Sequence, residues 1–204
     1  STDAACMSPR LAIFDFDGTL ADSLGWFLRA YGEVAEALDL QRIVPEELPR
    51  LRGLGARALI RHFGLPAWRL PQVALRLHAL QARDIGEIRL FDGVEEMLAG
   101  LAARGVTLAI VTSNAECNVR EVLGPRTAAR IARFACGAPI LGKASRLRKV
   151  LRATGTAPQD ALAIGDELRD LEAARRAGIP AGAVTWGFAN TDALRAAGPV
   201  AMFS

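Results

Sequence analysis

Two aspartates that lie two positions apart, Asp15 and Asp17, directly follow the apolar residues 11–14. A continuous apolar run of this length is typical of a strand buried on both faces, so the carboxylates are expected where that strand ends. Ligands bind at this edge of an open α/β sheet. With a turn at Gly18, one carboxylate can act as a nucleophile while the other transfers protons. The spacing therefore predicts a site that transfers phosphate groups.

Two further predicted strands also end in polar residues that phosphoryl transfer can use. The three pairs are Asp15 and Asp17 after the first strand, Thr112 and Ser113 after residues 106–111, and Asp166 and Asp170 after residues 161–164. The carboxyl ends of parallel strands meet at one edge of a sheet, so residues far apart in sequence are expected to share one site.

The charges of such a site predict a metal ion and a lysine. Three or four carboxylates at one place repel each other unless a cation lies among them, and all-oxygen ligation suits Mg²⁺. A phosphate dianion also needs Mg²⁺, a lysine and hydroxyl or backbone donors before it can approach an aspartate. Lys143 and Lys149 are the only lysines among 25 basic residues. A lysine retained in such an arginine-rich chain is a candidate for a required residue.

The elements that position these residues alternate between strand and helix in most of the chain, which implies a parallel sheet. Between residues 23 and 89, by contrast, helical periodicity and Gly/Pro turns predict helices alone. We therefore expect an α/β fold, with a Rossmann-like parallel sheet flanked by helices. Residues 1–22 and 90–204 would form this core domain, and residues 23–89 a small all-helical cap domain inserted after the first strand.

Composition argues against several other classes of protein. The net charge is +3, and the basic residues are scattered without interleaved aromatic side chains, so nucleic-acid binding is not expected. No run of about 18 uncharged apolar residues and no signal-peptide pattern is present, so no membrane association is expected. Cys6, Cys117 and Cys136 form no Cys-x-x-Cys pair, which favours free thiols in the cytoplasm. These patterns do not encode the oligomeric state.

Four motifs, in this order, resemble those of the haloacid dehalogenase superfamily. They are Asp-x-Asp-Gly-Thr-Leu-x-Asp-Ser at 15–23, the strand that ends at Thr112, Lys143, and Gly165-Asp166-x-x-x-Asp170. The resemblance extends from Leu11 to about Phe188. The helical insert after the first motif, the Phe91-Asp92-Gly93 entry and the segment 184–188 (Val-Thr-Trp-Gly-Phe) are similar to phosphoglycolate phosphatase-like members.

The resemblance implies roles for the acidic residues. Asp15 would attack phosphorus and form an aspartyl-phosphate, while Asp17 would protonate the leaving oxygen and later deprotonate the attacking water. Mg²⁺ would be held by the Asp15 carboxylate, the Asp17 main-chain carbonyl and Asp166. Asp170 would either bind the metal directly or orient the residues that bind it.

The same resemblance implies the substrate-binding residues. Thr112 and Ser113 would contact the phosphoryl group, and Lys143 would neutralise its charge with a compact ammonium. Arg52, in a turn between cap helices, is a candidate for contacting an anionic leaving group. The implied activity is magnesium-dependent hydrolysis of a small phosphorylated metabolite, either phosphoglycolate-like or a sugar phosphate.

Other functions share parts of this pattern. Asp17 disfavours dehalogenation, because haloacid dehalogenases lack the second aspartate of the first motif. A phosphomutase similar to beta-phosphoglucomutase remains open, since the four motifs are common to mutases and phosphatases. A non-catalytic module that binds a phosphoryl ligand or takes part in signalling is a further alternative. In receiver domains, however, the phosphorylated aspartate follows a central strand well inside the chain, whereas Asp15 follows the first strand.

One segment, Gly137-x-x-x-x-Gly142-Lys143, nearly matches a nucleotide-binding P-loop. Ala144 stands where a hydroxyl should hold the metal, and Pro139 removes an amide donor from the loop. The segment is therefore not expected to bind nucleotide in that manner.

Overall fold

The structure is a computed structural model that describes residues 9–137 and 142–204. The first eight residues, which include Cys6, lie outside these ranges. The part of the P-loop-like segment that contains Pro139 also lies outside them. No helix within the described ranges is long and apolar enough to cross a lipid bilayer.

Within the described ranges, a parallel sheet of six strands forms the centre of the molecule. Its strands are β1 (Leu11–Phe14), β4 (Thr107–Val111), β5 (Ile131–Ala135), β6 (Ala161–Gly165), β7 (Ala181–Val184) and β8 (Ala201–Phe203). Their spatial order is β5-β4-β1-β6-β7-β8. Strand β1 lies between β4 and β6, with Leu11 opposite both Thr107 and Ala161. The carboxyl ends of these three strands therefore meet at one edge, as the sequence predicts.

Helices cover both faces of this sheet, which explains why β1 is apolar at every position. They are α5 (Val94–Ala103), α6 (Glu116–Ala128), α7 (Lys143–Thr154), α8 (Leu168–Ala177) and α9 (Thr191–Ala196). Ala12 and Phe14 belong to one hydrophobic cluster, together with Leu98 of α5. Leu11 and Ile13 belong to another, with α7 and α8. Side chains alternate between the faces of a strand, so a strand covered on both sides requires a continuous apolar run. The predicted α/β class is confirmed.

The segment between β1 and β4 contains the remaining helices, α1 (Leu24–Ala37), α2 (Leu48–Leu51), α3 (Ala56–His62) and α4 (Leu70–Arg83). Val34 and Leu38 pack against Val73 of α4. The chain enters and leaves this segment through β2 (Ala21–Asp22) and β3 (Arg89–Leu90), which pair antiparallel. The two connections to the helical segment therefore lie side by side.

Candidate active site

The carboxylate of Asp15 is buried at the end of β1. The backbone N–H of Asp15 donates to Ile164 O at 2.9 Å, which continues the pairing of β1 with β6 for one residue beyond the strand. Oδ1 accepts a hydrogen bond from the Phe16 backbone N–H at 2.8 Å, and Oδ2 lies 2.9 Å from Lys143 Nζ. The carboxylate is therefore fixed by the backbone on one oxygen and by a cation on the other.

Asp17 is held by two side-chain amides. Gln81 Nε2 donates to Oδ1 at 2.9 Å, and Asn114 Nδ2 donates to Oδ2 at 3.2 Å. Burial, followed by the negative charge of Asp15, raises the pKa of Asp17 to about 6. A carboxyl group with such a pKa can both give and take a proton near neutral pH.

The turn after Asp17 brings the chain against another acidic residue. Gly18 has a φ of +77°, which side chains disfavour, and a Cβ at this position would collide with the Asp166 carboxylate. A Cβ at Gly187 would meet the same carboxylate. Both glycines are therefore required for the close approach of two loops to Asp166.

Asp15, Asp166 and Asp170 form a buried acidic cluster. Each offers one carboxylate oxygen, and these oxygens all lie within 4.8 Å of one another. Asp166 follows β6 and accepts hydrogen bonds from Thr19 Oγ1 and from the Phe188 backbone N–H, both at 2.7 Å. Burial and the charge of the neighbouring Glu167 raise the pKa of Asp166 well above its usual range.

Lys143, the first residue of α7, supplies positive charge to this cluster. Its Nζ lies 2.9 Å from Asp15 Oδ2 and 2.6 Å from Asp170 Oδ1. Although burial opposes ionisation of Asp170, the ammonium group lowers the pKa of that carboxyl. Asp170 Oδ2 also accepts from the Glu167 backbone N–H at 3.0 Å, which fixes it in the first turn of α8.

The donor set of the cluster fits a hard divalent cation. Three carboxylates converge, and neutral or cationic partners hold each of them in place. Oxygen ligands of this kind are those that Mg²⁺ prefers. The carboxylates that would hold such an ion are those of Asp15, Asp166 and Asp170.

The residues after β4 are also placed at this edge of the sheet. Thr112 is buried, and its Oγ1 accepts from the Asn114 backbone N–H at 3.1 Å. Ser113 is half-buried. Asn114, which the sequence analysis did not single out, is oriented by hydrogen bonds from Ala115 N–H (2.8 Å) and Asn118 Nδ2 (3.1 Å) to its Oδ1. The sequence signal that could have identified Asn114 is its position directly after Thr112 and Ser113, at the end of a predicted strand.

Arg52 contacts the main chain of the core. Its Nε donates to Phe188 O at 2.8 Å and its Nη2 to Gly187 O at 2.7 Å. The Asn190 backbone N–H donates to Arg52 O at 2.9 Å. Arg52 thus links the α2–α3 turn to the loop that supports Asp166. These bonds use two of the five N–H donors of Arg52, and its contact with an anionic leaving group stays a prediction.

A basic cleft of about 300 Å³ opens beside Lys143, between α3 and the helices α7 and α8. Arg57 and Arg61 line it from α3, whereas Arg169 and Arg176 line it from α8. Both α8 arginines have acidic partners, since Arg169 pairs with Glu167 and Arg176 pairs with Glu172. Among the described residues, the ion pairs of the cleft arginines are those of α8, so the positive charge of the cleft that these pairs leave lies on α3.

The chain is similar to known proteins both in sequence and in structure. The family model described as haloacid dehalogenase-like hydrolase matches residues 12–184. Phosphoglycolate phosphatase of Synechococcus elongatus is 35% identical over 190 residues, which is 92% of this chain and 89% of the relative. A 5'-nucleotidase of Pseudomonas aeruginosa is 32% identical over 210 residues, covering 97% and 91% of the two chains. A crystal structure of a CbbY variant from Rhodobacter sphaeroides, in complex with xylulose-(1,5)bisphosphate, superposes with a TM-score of 0.70 at 26% identity, covering 96% and 93%.

The chain belongs to the family of haloacid dehalogenase-like hydrolases. Within that family it is a phosphoric monoester hydrolase, similar to the phosphoglycolate phosphatases.

Proposed function

We propose that the protein is a magnesium-dependent phosphatase that hydrolyses a small phosphorylated metabolite through an aspartyl-phosphate on Asp15. The observation that supports this most directly is the pairing of two differently held carboxylates. Asp15, a member of the acidic cluster, pairs with the Lys143 ammonium, while Asp17 accepts hydrogen bonds from two neutral amides. Such a division suits one nucleophile and one group that transfers protons.

In the first step, an Asp15 carboxylate oxygen forms a bond to phosphorus as the bond between phosphorus and the leaving oxygen breaks. The carboxylic acid of Asp17 gives its proton to that leaving oxygen. In the second step, water attacks phosphorus and gives a proton to the Asp17 carboxylate, and the bond between Asp15 and phosphorus breaks. Asp17 is thereby returned to its acid form, and inorganic phosphate leaves.

The surrounding residues would stabilise the charge of the phosphoryl group. Lys143 would interact with its oxygens, and Thr112 and Ser113 would donate hydrogen bonds to them. Mg²⁺, held by the carboxylates of Asp15, Asp166 and Asp170 and by the Asp17 main-chain carbonyl, would supply the positive charge that lets a phosphate dianion approach Asp15.

We further propose that residues 23–89 form a cap domain on a core formed by residues 1–22 and 90–204. The β2 and β3 strands that connect the two parts lie side by side, so hinge motion near 22–24 and 88–91 would move the cap as a unit. The basic cleft between α3 and the core would then hold the leaving group. Its arginines favour an anionic metabolite such as phosphoglycolate or a sugar phosphate over an uncharged one.

The activity is tested by measuring phosphate release from a panel of phosphoglycolate, sugar phosphates and nucleotides, with Mg²⁺ and with EDTA. We expect turnover of at least one small anionic monoester with Mg²⁺ and loss of nearly all turnover in EDTA, restored when Mg²⁺ is added back. Phosphate release that is unaffected by EDTA would contradict the metal requirement. Ligand binding without phosphate release across the panel would favour a mutase or a binding module.

The role of the basic cleft is tested by the double variant Arg57→Ala/Arg61→Ala. The KM for the preferred anionic substrate is expected to rise about tenfold or more, since loss of two charge contacts removes on the order of 1.4 kcal/mol of binding or more. Its kcat should change little, because neither arginine contacts the reacting carboxylates. The matched control is Arg42→Ala, an exposed arginine paired with Glu36. An unchanged KM in the double variant would place the leaving group elsewhere.

A further inference from the structure

Gln81 is a buried polar side chain in the last helix of the proposed cap. Only 5% of it is exposed, and the nearby Leu77 and Leu80 pack against the central hydrophobic cluster. A buried amide costs folding free energy unless it is hydrogen-bonded. Gln81 Nε2 makes its hydrogen bond to Asp17 Oδ1, at 2.9 Å. The helix therefore places a polar group on its buried face at the point where it reaches the catalytic loop.

The two oxygens of Asp17 are held from different parts of the molecule. Asn114, which follows strand β4 of the core, donates to Oδ2, and its own orientation is fixed by Ala115 and Asn118. Gln81 donates to Oδ1 from α4. With only one of these amides, only one of the two carboxyl oxygens would keep its amide donor. With both, the plane of the carboxyl group is set jointly by the core and by the helical segment.

We propose that Gln81 is a positioning residue that orients the Asp17 carboxyl toward the leaving oxygen, so that proton transfer requires α4 to be seated against the core. This inference rests on the proposed phosphatase mechanism. A general acid must lie within hydrogen-bond reach of the oxygen that it protonates, and a misplacement of about 1 Å can cost on the order of 10²-fold in rate. Movement of α4 away from the core would withdraw one of the two donors that hold Asp17.

The inference is tested with two aryl phosphates of nearly the same shape. Phenyl phosphate has a poor leaving group that needs protonation, whereas the leaving group of p-nitrophenyl phosphate departs readily without it. In Gln81→Met, which removes the donor and retains the side-chain length, kcat/KM for phenyl phosphate should fall at least about 30-fold. For p-nitrophenyl phosphate it should fall less than about threefold, because kcat/KM reports the step in which the leaving group departs.

The control is Gln72→Met, the same substitution at an exposed position of α4. It should leave both kcat/KM values unchanged. Thermal unfolding and the Mg²⁺ concentration for half-maximal activity are measured for every variant. Equal losses for the two substrates in Gln81→Met, or no loss for either, would overturn the inference and indicate a purely structural role.

A double-mutant cycle gives a second readout. If Gln81 acts through Asp17, Gln81→Met should cause no further loss in an Asp17→Asn background, whereas independent effects would multiply. A further loss of the same size as in the wild-type background would overturn the inference. If the wild-type protein hydrolyses neither the aryl phosphates nor any member of the metabolite panel, the proposed function fails, and the role of Gln81 falls with it. That outcome is distinct from failure of Gln81 alone, which requires an active wild type.

Discussion

Asp15→Asn is expected to reduce phosphate release by roughly 10⁴-fold or more, because the amide cannot act as the nucleophile that forms the aspartyl-phosphate. Asparagine preserves the size of the side chain, and its carbonyl oxygen can still accept the hydrogen bond from the Phe16 N–H. The loss should therefore appear in kcat. Any change in the thermal unfolding midpoint should be smaller than in Lys143→Met, because Lys143 keeps its ion pair with Asp170 and the acidic cluster loses one negative charge. Turnover is measured with the substrate that the metabolite panel identifies.

Two comparisons make this prediction specific. Asp192→Asn, which changes an exposed aspartate that pairs with Arg195 on the surface, should retain wild-type turnover. Mass spectrometry of acid-quenched reactions should detect phosphate on the peptide that contains Asp15 in the wild type and not in Asp15→Asn. Retention of more than a tenth of wild-type turnover in Asp15→Asn would exclude Asp15 as the nucleophile.

The sequence predicts the centre of this fold well because its signals there are local. A strand covered on both faces must be apolar throughout, and β1 is recognisable for that reason. Strand β5 gives no such signal, since it lies at the edge of the sheet and exposes Arg133 among its five residues. Strand β8 has three residues, too few for periodicity to indicate a strand. Edge position and short length thus remove the pattern on which sequence-based prediction depends.

In the active site, the sequence predicts which residues lie together at strand ends, but it does not predict hydrogen-bond partners that depend on helix packing. Asp15, Asp17, Thr112 and Asp166 follow strands, so the rule for strand ends places them together. Gln81 is different because a glutamine in a helix usually faces solvent, and only the packing of α4 brings it to Asp17, 64 positions away.

For Arg52 the sequence does give a signal, because an arginine in a turn suggests contact with an anionic ligand. Its guanidinium donates to carbonyls of Gly187 and Phe188, more than 130 positions away in the chain, and its contact with a leaving group stays a prediction. Charge and turn position are visible in the sequence, but the acceptor that a long side chain finds depends on tertiary contacts.

Lys143→Met is expected to lower kcat by roughly 10³-fold, because the variant lacks the ammonium that neutralises the phosphoryl oxygens. It should also destabilise the protein in the absence of metal. Lys143 Nζ contacts both Asp15 and Asp170, and its loss leaves two buried carboxylates without their cation. Breaking a buried ion pair from one side costs about 3 kcal/mol or more of the free energy of unfolding. Denaturant unfolding in EDTA at neutral pH measures this loss.

Addition of Mg²⁺ should restore part of the lost stability of Lys143→Met without restoring turnover, because a bound cation relieves repulsion among the carboxylates but does not replace the ammonium. Lys149→Met is the matched control, since Lys149 is the other lysine of the chain and is exposed on the same helix. Its stability and turnover should equal those of the wild type. If Lys143→Met were as stable as Lys149→Met in EDTA, the ion pairs of Lys143 would not be needed to hold the carboxylates together. If its turnover also remained high, the phosphoryl charge would have to be stabilised by other groups.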